Sequence, residues 1–192
     1  MATGFDNIDL EYCKERGIAV CNVVGYSTMS VSQITVSMAL SLISNMAGFS
    51  RACADGTYSN GKVANILTPT YHDIAGKTWG IVGYGNIGKQ VARVAEALGC
   101  KIIAYKRTPV DGYTCVDIDA LCETADIITI HTPLNDGTRD LISRERISKM
   151  KKGAVVVNVA RGAVTDEQAV ADAVLSGKLG FFGCDVYSAE PM

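Results

Sequence analysis

The glycines of the segment GYGNIG carry the most specific chemistry in the sequence. Gly83, Gly85 and Gly88 have the spacing G-x-G-x-x-G, with Asn86 and Ile87 between the last two. After a strand and at the start of a helix, this spacing allows a tight turn, close approach of a pyrophosphate, and close helix–strand packing. The helix N-terminus adds free N–H groups and the positive end of a dipole. The motif therefore predicts a dinucleotide site; the alternative is a glycine-rich turn that binds no ligand.

A basic tripeptide, Lys106-Arg107-Thr108, follows the next apolar run, at 101–105. An acidic residue in this place would accept a hydrogen bond from the ribose 2′-hydroxyl of NAD. A carboxylate would repel a 2′-phosphate, whereas two cations and a hydroxyl can bind one. The tripeptide therefore favours NADP(H) over NAD(H), and the alternative is a group of solvated surface cations.

These motifs need a scaffold, and the pattern from residue 76 onward predicts one. Strands are predicted over residues 78–84, 101–105, 126–132, 154–160 and 179–186. Helices are predicted between them, over residues 86–99, 117–125, 143–150 and 165–177. The alternation indicates an α/β fold with a doubly wound parallel sheet, and the near-continuous apolar strands indicate burial on both faces.

The first 75 residues have a different pattern. Residues 7–23 predict a helix that leads into a short strand, a fragment of another α/β unit. Residues 30–46 predict a long apolar helix. Its apolar residues fall on more than one face of the helix, so we expect the helix to be buried on several sides. Residues 55–71 are rich in Gly, Ser, Thr and Asn and indicate a loop.

Composition excludes several classes of protein. With 48% hydrophobic and 20% charged residues, the chain can bury a core, and its net charge of −2 provides no basic field for nucleic acid or an anionic membrane. No apolar run reaches the ~18 residues that span a bilayer, and the start lacks a secretory signal pattern. Seven cysteines without C-x-x-C spacing indicate reduced thiols in a cytoplasmic protein, with no disulfide framework and no metal site.

Five segments, in order, carry a family resemblance: TGFDNIDLEYCKERGIAVCN, IAGKTWGIVGYGNIGKQVA, HTPLNDGTRDLI, MKKGAVVVNVARGAVTDEQAV and CDVYSAEP. They resemble the D-isomer-specific 2-hydroxyacid dehydrogenases, in which a Rossmann cofactor domain joins a flavodoxin-like substrate domain built from both chain ends. The resemblance implies that residues 1–25 are the tail of a substrate-domain segment. Residues 26–75 would be an interdomain helix and loop, with the helix packing in a homodimer, and residues 76–192 the Rossmann domain.

The same resemblance assigns catalytic roles. Arg161, in the motif N-x-x-R-G, would bind the substrate carboxylate and carbonyl, and Glu190 would orient a histidine and raise its pKa. Asp185 would lie near the nicotinamide carboxamide. The family's acid/base histidine stands in a P-H motif some twenty residues further on, which this sequence does not reach. We therefore expect these 192 residues alone to lack turnover.

Further residues match cofactor and substrate loops of the family. Thr3 and Gly4 match the loop where substrate and nicotinamide meet. His131 ends a predicted strand and could be taken for an acid/base, but the resemblance favours a structural or cofactor-contact role. The cofactor-lining matches are His131, Thr132, Pro133 and Thr138, with Val159 and Ala160 through their backbone.

The resemblance implies an NAD(P)-dependent oxidoreductase that interconverts a 2-oxo acid and a D-2-hydroxy acid by hydride transfer. NADP or NAD would be the cofactor and a small 2-oxo or 2-hydroxy acid the substrate, with no nucleic-acid or membrane partner. Two alternatives stay open: an isolated dinucleotide-binding domain without turnover, and a dinucleotide-sensing interaction protein similar to the C-terminal binding protein corepressors. Which 2-hydroxy acid is used does not follow from the sequence.

Overall fold

The computed structural model describes residues 4–5, 7–65, 67–106 and 112–190. Within these ranges, the helices are α1 (Leu10–Glu15), α2 (Thr28–Ile43), α3 (Met46–Ala54), α4 (Asn86–Ala97), α5 (Ile118–Thr124), α6 (Arg144–Lys149) and α7 (Glu167–Leu175), with a 3-10 helix at Gly162–Val164. The strands are β1 (Thr78–Val82), β2 (Lys101–Tyr105), β3 (Thr114–Cys115), β4 (Ile127–Ile130), β5 (Ala154–Asn158) and β6 (Leu179–Cys184).

The strands form one sheet in the order β3-β2-β1-β4-β5-β6, and every neighbouring pair is parallel. β1 lies between β2 and β4, and its last residue, Val82, is opposite Tyr105 and Ile130. The segments that follow these three strands therefore leave the sheet at the same edge. The strand order reverses between β1 and β4, which is where such folds bind ligands. The predicted doubly wound parallel sheet is confirmed.

Both faces of the sheet are covered, because successive strand residues point to opposite sides. Ile81 and Val157 pack with α2 and α4 on one face. Val82 and Val156 pack with α5, α6 and α7 on the other. All residues of β4 and β5 are buried, as the continuous apolar runs predicted.

The N-terminal part differs from the predictions. α1 forms, but it buries no residue, and the strand expected after it is absent from residues 18–23, all of which are described. A strand needs a neighbour for its backbone N–H and C=O groups, and the described chain offers none there. The expected burial of the apolar helix on several sides is not seen within the described chain. α2 buries a single stripe, made of Ser32, Thr35, Ala39 and Ile43, where it packs on the sheet and α4.

At the edge that carries the motifs, the predicted strands extend further than the observed ones. The predicted strand continues to residue 132, but β4 ends at Ile130. Three short elements were not predicted: α3, β3 and the 3-10 helix. In the described ranges, no helix combines the length and apolarity required to cross a bilayer.

Candidate active site

Two of the three motif glycines are required by close packing. Gly83 has φ of +96°, and a Cβ there would lie 2.7 Å from the backbone nitrogen of Thr132. A Cβ on Gly88 would lie 2.4 Å from the carbonyl oxygen of Gly83 and 2.9 Å from Ile81. Gly85 is different, because a Cβ there would meet nothing within 4 Å. The turn therefore fits tightly against β4 and α4 and leaves an open approach to the backbone at Gly85.

The N-terminus of α4 lacks a side-chain cap. Its N-cap residue is Gly85, whereas α1, α5, α6 and α7 are capped by the side chains of Asp9, Asp117, Ser143 and Asp166. The first N–H groups of an α-helix have no partner within the helix. At α4 they can donate to an anion that reaches the open side of Gly85, as the phosphates of a dinucleotide would.

A groove of about 320 Å³ lies over this turn, at the point where the strand order reverses. We call it the cofactor groove. Its lining residues are Gly83, Tyr84, Gly85, Tyr105, Lys106, His131, Thr132, Pro133, Asn135, Gly137 and Thr138. Seven of the predicted cofactor residues are among them, and Asn86, Ile87 and Gly88 form the adjoining first turn of α4. Arg107 and Thr108 lie outside the described residues.

Tyr84, the residue between the first two glycines, is buried in the core beside α4. Its ring packs on that of Tyr113 with centroids 5.2 Å apart, and burial raises the pKa of the Tyr84 phenol far above its usual range. The Tyr113 hydroxyl donates to Glu96 of α4 at 3.3 Å. The turn is thus tied to the core by an aromatic pair that the glycine spacing alone did not indicate.

His131 belongs to this groove, and its surroundings favour a neutral imidazole. Its Nε2 lies 3.0 Å from the hydroxyl of Thr129, which also accepts a hydrogen bond from Trp79 Nε1 at 3.1 Å. Burial lowers the pKa of His131 to about 3. A histidine that stays neutral at pH 7 is poorly suited to deliver a proton there, which agrees with the structural or cofactor-contact role.

The loop after His131 is held by its own hydrogen bonds. The Thr138 hydroxyl donates to the carbonyl of Pro133 at 2.7 Å and accepts from the backbone N–H of Asn135 at 2.8 Å. The Asn135 side chain in turn accepts from the N–H of Gly137 at 3.0 Å. This loop forms one wall of the cofactor groove, and its Leu134 lines a second groove on the other side.

The second groove, of about 390 Å³, is called the Arg161 groove. It is lined by Gly4, Asn7, Leu134, Arg161, Gly162, Ala163, Val186, Tyr187, Ser188 and Glu190. The tertiary structure thus brings together Gly4, Arg161 and Glu190, three residues that the family resemblance assigned to substrate and catalysis. Thr3 lies outside the described residues. Val159 and Ala160 follow β5, and Asp185 follows β6. None of these three residues is among the described residues that line the two grooves.

Asn158 shapes the backbone that presents Arg161. It is the last residue of β5 and is 1% exposed. Its side-chain NH₂ donates to the carbonyl of Arg161 at 2.9 Å, and its side-chain oxygen accepts from the N–H of Ala160 at 3.0 Å. Its carbonyl accepts from the N–H of Asp185 at 3.0 Å. Sequence reasoning assigned no role to Asn158, although a polar residue at the end of an apolar run was a usable signal.

Glu190 is exposed, and its carboxylate accepts from the backbone N–H of Tyr187 at 2.8 Å. The turn 187–190 rests on Gly162, where a Cβ would lie 2.1 Å from the backbone nitrogen of Ser188. The glycine that follows Arg161 therefore allows the backbone of the turn to approach. This role of Gly162 depends on a contact between residues distant in sequence, so no local pattern indicated it.

A third cavity lies at the opposite edge of the sheet. It is lined by residues near the amino ends of the strands, including His72, Lys77 and Asp126, and Asp126 pairs with Lys151 at 3.0 Å. None of the predicted site residues lines this cavity. In the described part of the chain, no three side chains of His, Cys, Asp or Glu are grouped so that they could hold a metal ion.

Comparison with known families and proteins gives consistent matches. The family model described as D-isomer specific 2-hydroxyacid dehydrogenase, NAD binding domain, matches residues 36–192. The hydroxypyruvate reductase of Thermotoga maritima is 39% identical over 194 residues, covering 98% of this chain and 60% of the relative. The glycerate dehydrogenase of Methylorubrum extorquens is 36% identical over 190 residues, covering 99% of this chain and 60% of the relative. The chain thus spans 60% of the length of these curated relatives.

Solved structures agree with the sequence matches. The TT0316 protein from Thermus thermophilus is similar with a TM-score of 0.92 at 35% identity, covering 100% of this chain and 60% of that one. A D-lactate dehydrogenase from Aquifex aeolicus, solved with NAD and lactic acid, has a TM-score of 0.88 at 32% identity, covering 98% of this chain and 57% of that one.

Proposed function

Because the chain belongs to the D-isomer specific 2-hydroxyacid dehydrogenase family, we propose that the whole protein interconverts a small 2-oxo acid and a D-2-hydroxy acid with a nicotinamide cofactor. One observation carries the proposal most directly. The groove that contains Arg161 and Glu190 is separated from the cofactor groove by a single loop, whose residues line both. A substrate held by Arg161 would therefore lie next to a cofactor held over the glycine turn.

The cofactor groove fits a dinucleotide by the chemistry of its walls. The uncapped N–H groups of α4 and the open backbone at Gly85 would hold the phosphates. The neutral His131, Thr132 and Pro133 would form the wall toward the Arg161 groove. A bound nicotinamide supplies or accepts the hydride.

Arg161 would bind the substrate and polarise it. A guanidinium can hold a 2-oxo acid through two parallel hydrogen bonds and stabilise the charge that develops on the carbonyl oxygen. Glu190 would orient the acid/base group and favour its protonated form. We propose that this group comes from a segment outside the described residues. Burial keeps His131 neutral, and His72 lines the cavity at the opposite edge of the sheet.

The decisive experiment measures oxidation of NADPH and NADH by the whole protein with glyoxylate, hydroxypyruvate and pyruvate. We expect turnover that Arg161→Gln reduces by about 100-fold or more, because a charged hydrogen-bond pair to the substrate is lost. Arg144→Gln is the matched control, since Arg144 is exposed and pairs with Asp172 of α7 at 2.8 Å. Robust turnover by Arg161→Gln, or by the 192-residue chain alone, would contradict the proposed roles.

The cofactor preference is a separate proposal. Lys106 lines the cofactor groove at the end of β2, where it would approach a 2′-phosphate. We expect NADPH to bind more tightly than NADH, and Lys106→Ala to weaken NADPH alone. Lys152→Ala, at an exposed position on the opposite edge of the sheet, is the control. Tighter binding of NADH by the native protein would overturn the preference.

Exposed apolar surfaces support the proposed domain organisation and homodimer. Residues 1–25 would belong to a substrate domain, and those described among them include no buried side chain.

α2 exposes Met29 and Ile34 beside its buried stripe, and we propose that this face packs in a homodimer. Light scattering on the whole protein tests this: Ile34→Glu should give monomers, while Leu175→Glu, at an exposed position of α7, should not. A dimer that persists in Ile34→Glu would place the interface elsewhere.

A further inference from the structure

We propose that Glu167 is a positioning residue, whose carboxylate holds the turn 187–190, and with it Glu190, against the loop of Arg161. Two consecutive backbone N–H groups of this turn donate to carboxylates. Tyr187 donates to Glu190 at 2.8 Å, which stays within the turn. Ser188 donates to Glu167 at 2.7 Å, which joins the turn to the start of α7, 21 residues earlier. The second bond connects the exposed turn to the packed part of the protein.

The place where the turn is held is next to Arg161. The backbone of Tyr187 and Ser188 lies directly on Gly162, so close that a Cβ there would be 2.1 Å from both residues. This packing allows the turn to approach, and Tyr187, Ser188 and Glu190 are all exposed, so the core does not enclose the turn. A hydrogen bond to an ionised carboxylate is stronger than one between neutral groups. Glu167 therefore supplies a directional contact between the turn and α7.

The capping of α7 does not use Glu167. Asp166 is the N-cap residue, and its side chain accepts from the N–H of Ala169 at 2.9 Å. The neighbouring Gln168 donates to Asp172 at 2.9 Å. Glu167 is exposed and starts the helix. Its carboxylate accepts a hydrogen bond from the backbone N–H of Ser188 in the turn, and not from an N–H group of its own helix.

The catalytic consequence rests on the proposed function of Arg161 and Glu190. Without the carboxylate of Glu167, the turn keeps its internal bond to Glu190 but loses its connection to α7. Glu190 then no longer has a defined place across the groove from Arg161. The cofactor groove is unaffected, because the loop between the grooves is held by its own Thr138 and Asn135 hydrogen bonds.

Two substitutions separate this role from general stability. Glu167→Ala removes the acceptor, whereas Glu167→Gln keeps an amide oxygen that can accept from Ser188. In the whole protein, we expect kcat for glyoxylate to fall at least roughly 10-fold in Glu167→Ala and by less than about threefold in Glu167→Gln. The Kd for NADPH should change by less than about twofold in both. Glu145→Ala is the matched control, since this first-turn carboxylate of α6 pairs with Lys149 at 2.9 Å and does not contact the turn.

Amide hydrogen exchange at Ser188 provides a readout that does not require turnover. Exchange should be fast in Glu167→Ala and remain slow in the native protein and in Glu167→Gln. Unchanged protection of Ser188 in Glu167→Ala would overturn the inference, as would equal losses of kcat in the Ala and Gln variants. If the native protein reduced no 2-oxo acid, the proposed function would fail, while the exchange rates would still decide whether Glu167 holds the turn.

Discussion

The two grooves of this protein are constructed in different ways. In the cofactor groove, shape comes from backbone packing: Gly83 and Gly88 bring β1, β4 and α4 within distances that exclude any side chain. In the Arg161 groove, shape comes from polar side chains that bind backbone, with Asn158 holding the Arg161 loop and Glu167 holding the turn 187–190. The glycine turn is built into the core, whereas the turn 187–190, on one side of the Arg161 groove, is exposed.

This difference has a physical consequence. A core that is packed to crystal-like density cannot relax around an added atom. A larger residue at the glycine turn should therefore reduce both the stability of the protein and its affinity for the cofactor. An exposed turn can move away without unfolding the protein. A change at the Arg161 groove should therefore reduce activity more than it reduces stability. Each of the following predictions tests this contrast.

The largest effect is expected for Gly88→Ala. Its Cβ would lie 2.4 Å from the carbonyl oxygen of Gly83 and 2.9 Å from Ile81, both within the packed layer, so we expect destabilisation of about 3 kcal/mol and loss of NADPH binding. Gly85→Ala is the matched variant, because its Cβ meets nothing within 4 Å. It should retain stability within about 0.5 kcal/mol while obstructing the phosphates. Urea unfolding and cofactor titration measure both; equal stabilities of the two variants would contradict the packing argument.

A smaller loss of stability and a selective loss of activity are expected for Gly162→Ala. The added Cβ would overlap the backbone of Tyr187 and Ser188, and because this turn is exposed it should move outward, at a cost of about 1 kcal/mol. The Kd for NADPH should change little, while turnover of 2-oxo acids by the whole protein should fall by about 100-fold, as expected for a misplaced catalytic group. Parallel loss of cofactor binding would show that the two grooves are not independent.

The effect that is smallest at neutral pH is a pH dependence located at the cofactor groove. Burial lowers the pKa of His131 to about 3, against an ordinary value near 6.5, so the unfolded chain takes up this proton first as the pH falls. The contribution to stability is complete above about pH 6.5 and decreases below it, by at most about 1.4 kcal/mol per pH unit. Between pH 7 and 5, the native protein should lose about 1–2 kcal/mol more than His131→Asn does. Identical pH dependences of unfolding would contradict this.

Local patterns were sufficient for the part of the molecule that depends on local interactions. The alternation of apolar runs and helical stretches predicted the parallel sheet, and the G-x-G-x-x-G spacing predicted the turn at Gly83, because each depends on residues a few positions apart. The same reasoning failed for the strand expected within residues 18–23 and for the burial of α2. Strand pairing and the burial of a helix face both depend on contacts with distant parts of the chain. The local sequence of a segment does not encode these contacts.

The parallel sheet, the turn at Gly83 and the family could all be predicted from the sequence, since they depend on short spacings and on residue types. How Gly4, Arg161 and Glu190 come to line one groove, and how Asn158, Gly162 and Glu167 hold it in shape, follows from the folded chain alone. The bond between Glu167 and Ser188 spans 21 residues and exists because β6 lies beside β5 and returns the chain to the start of α7. Contacts of this kind follow from strand order, which is a property of the whole folded chain.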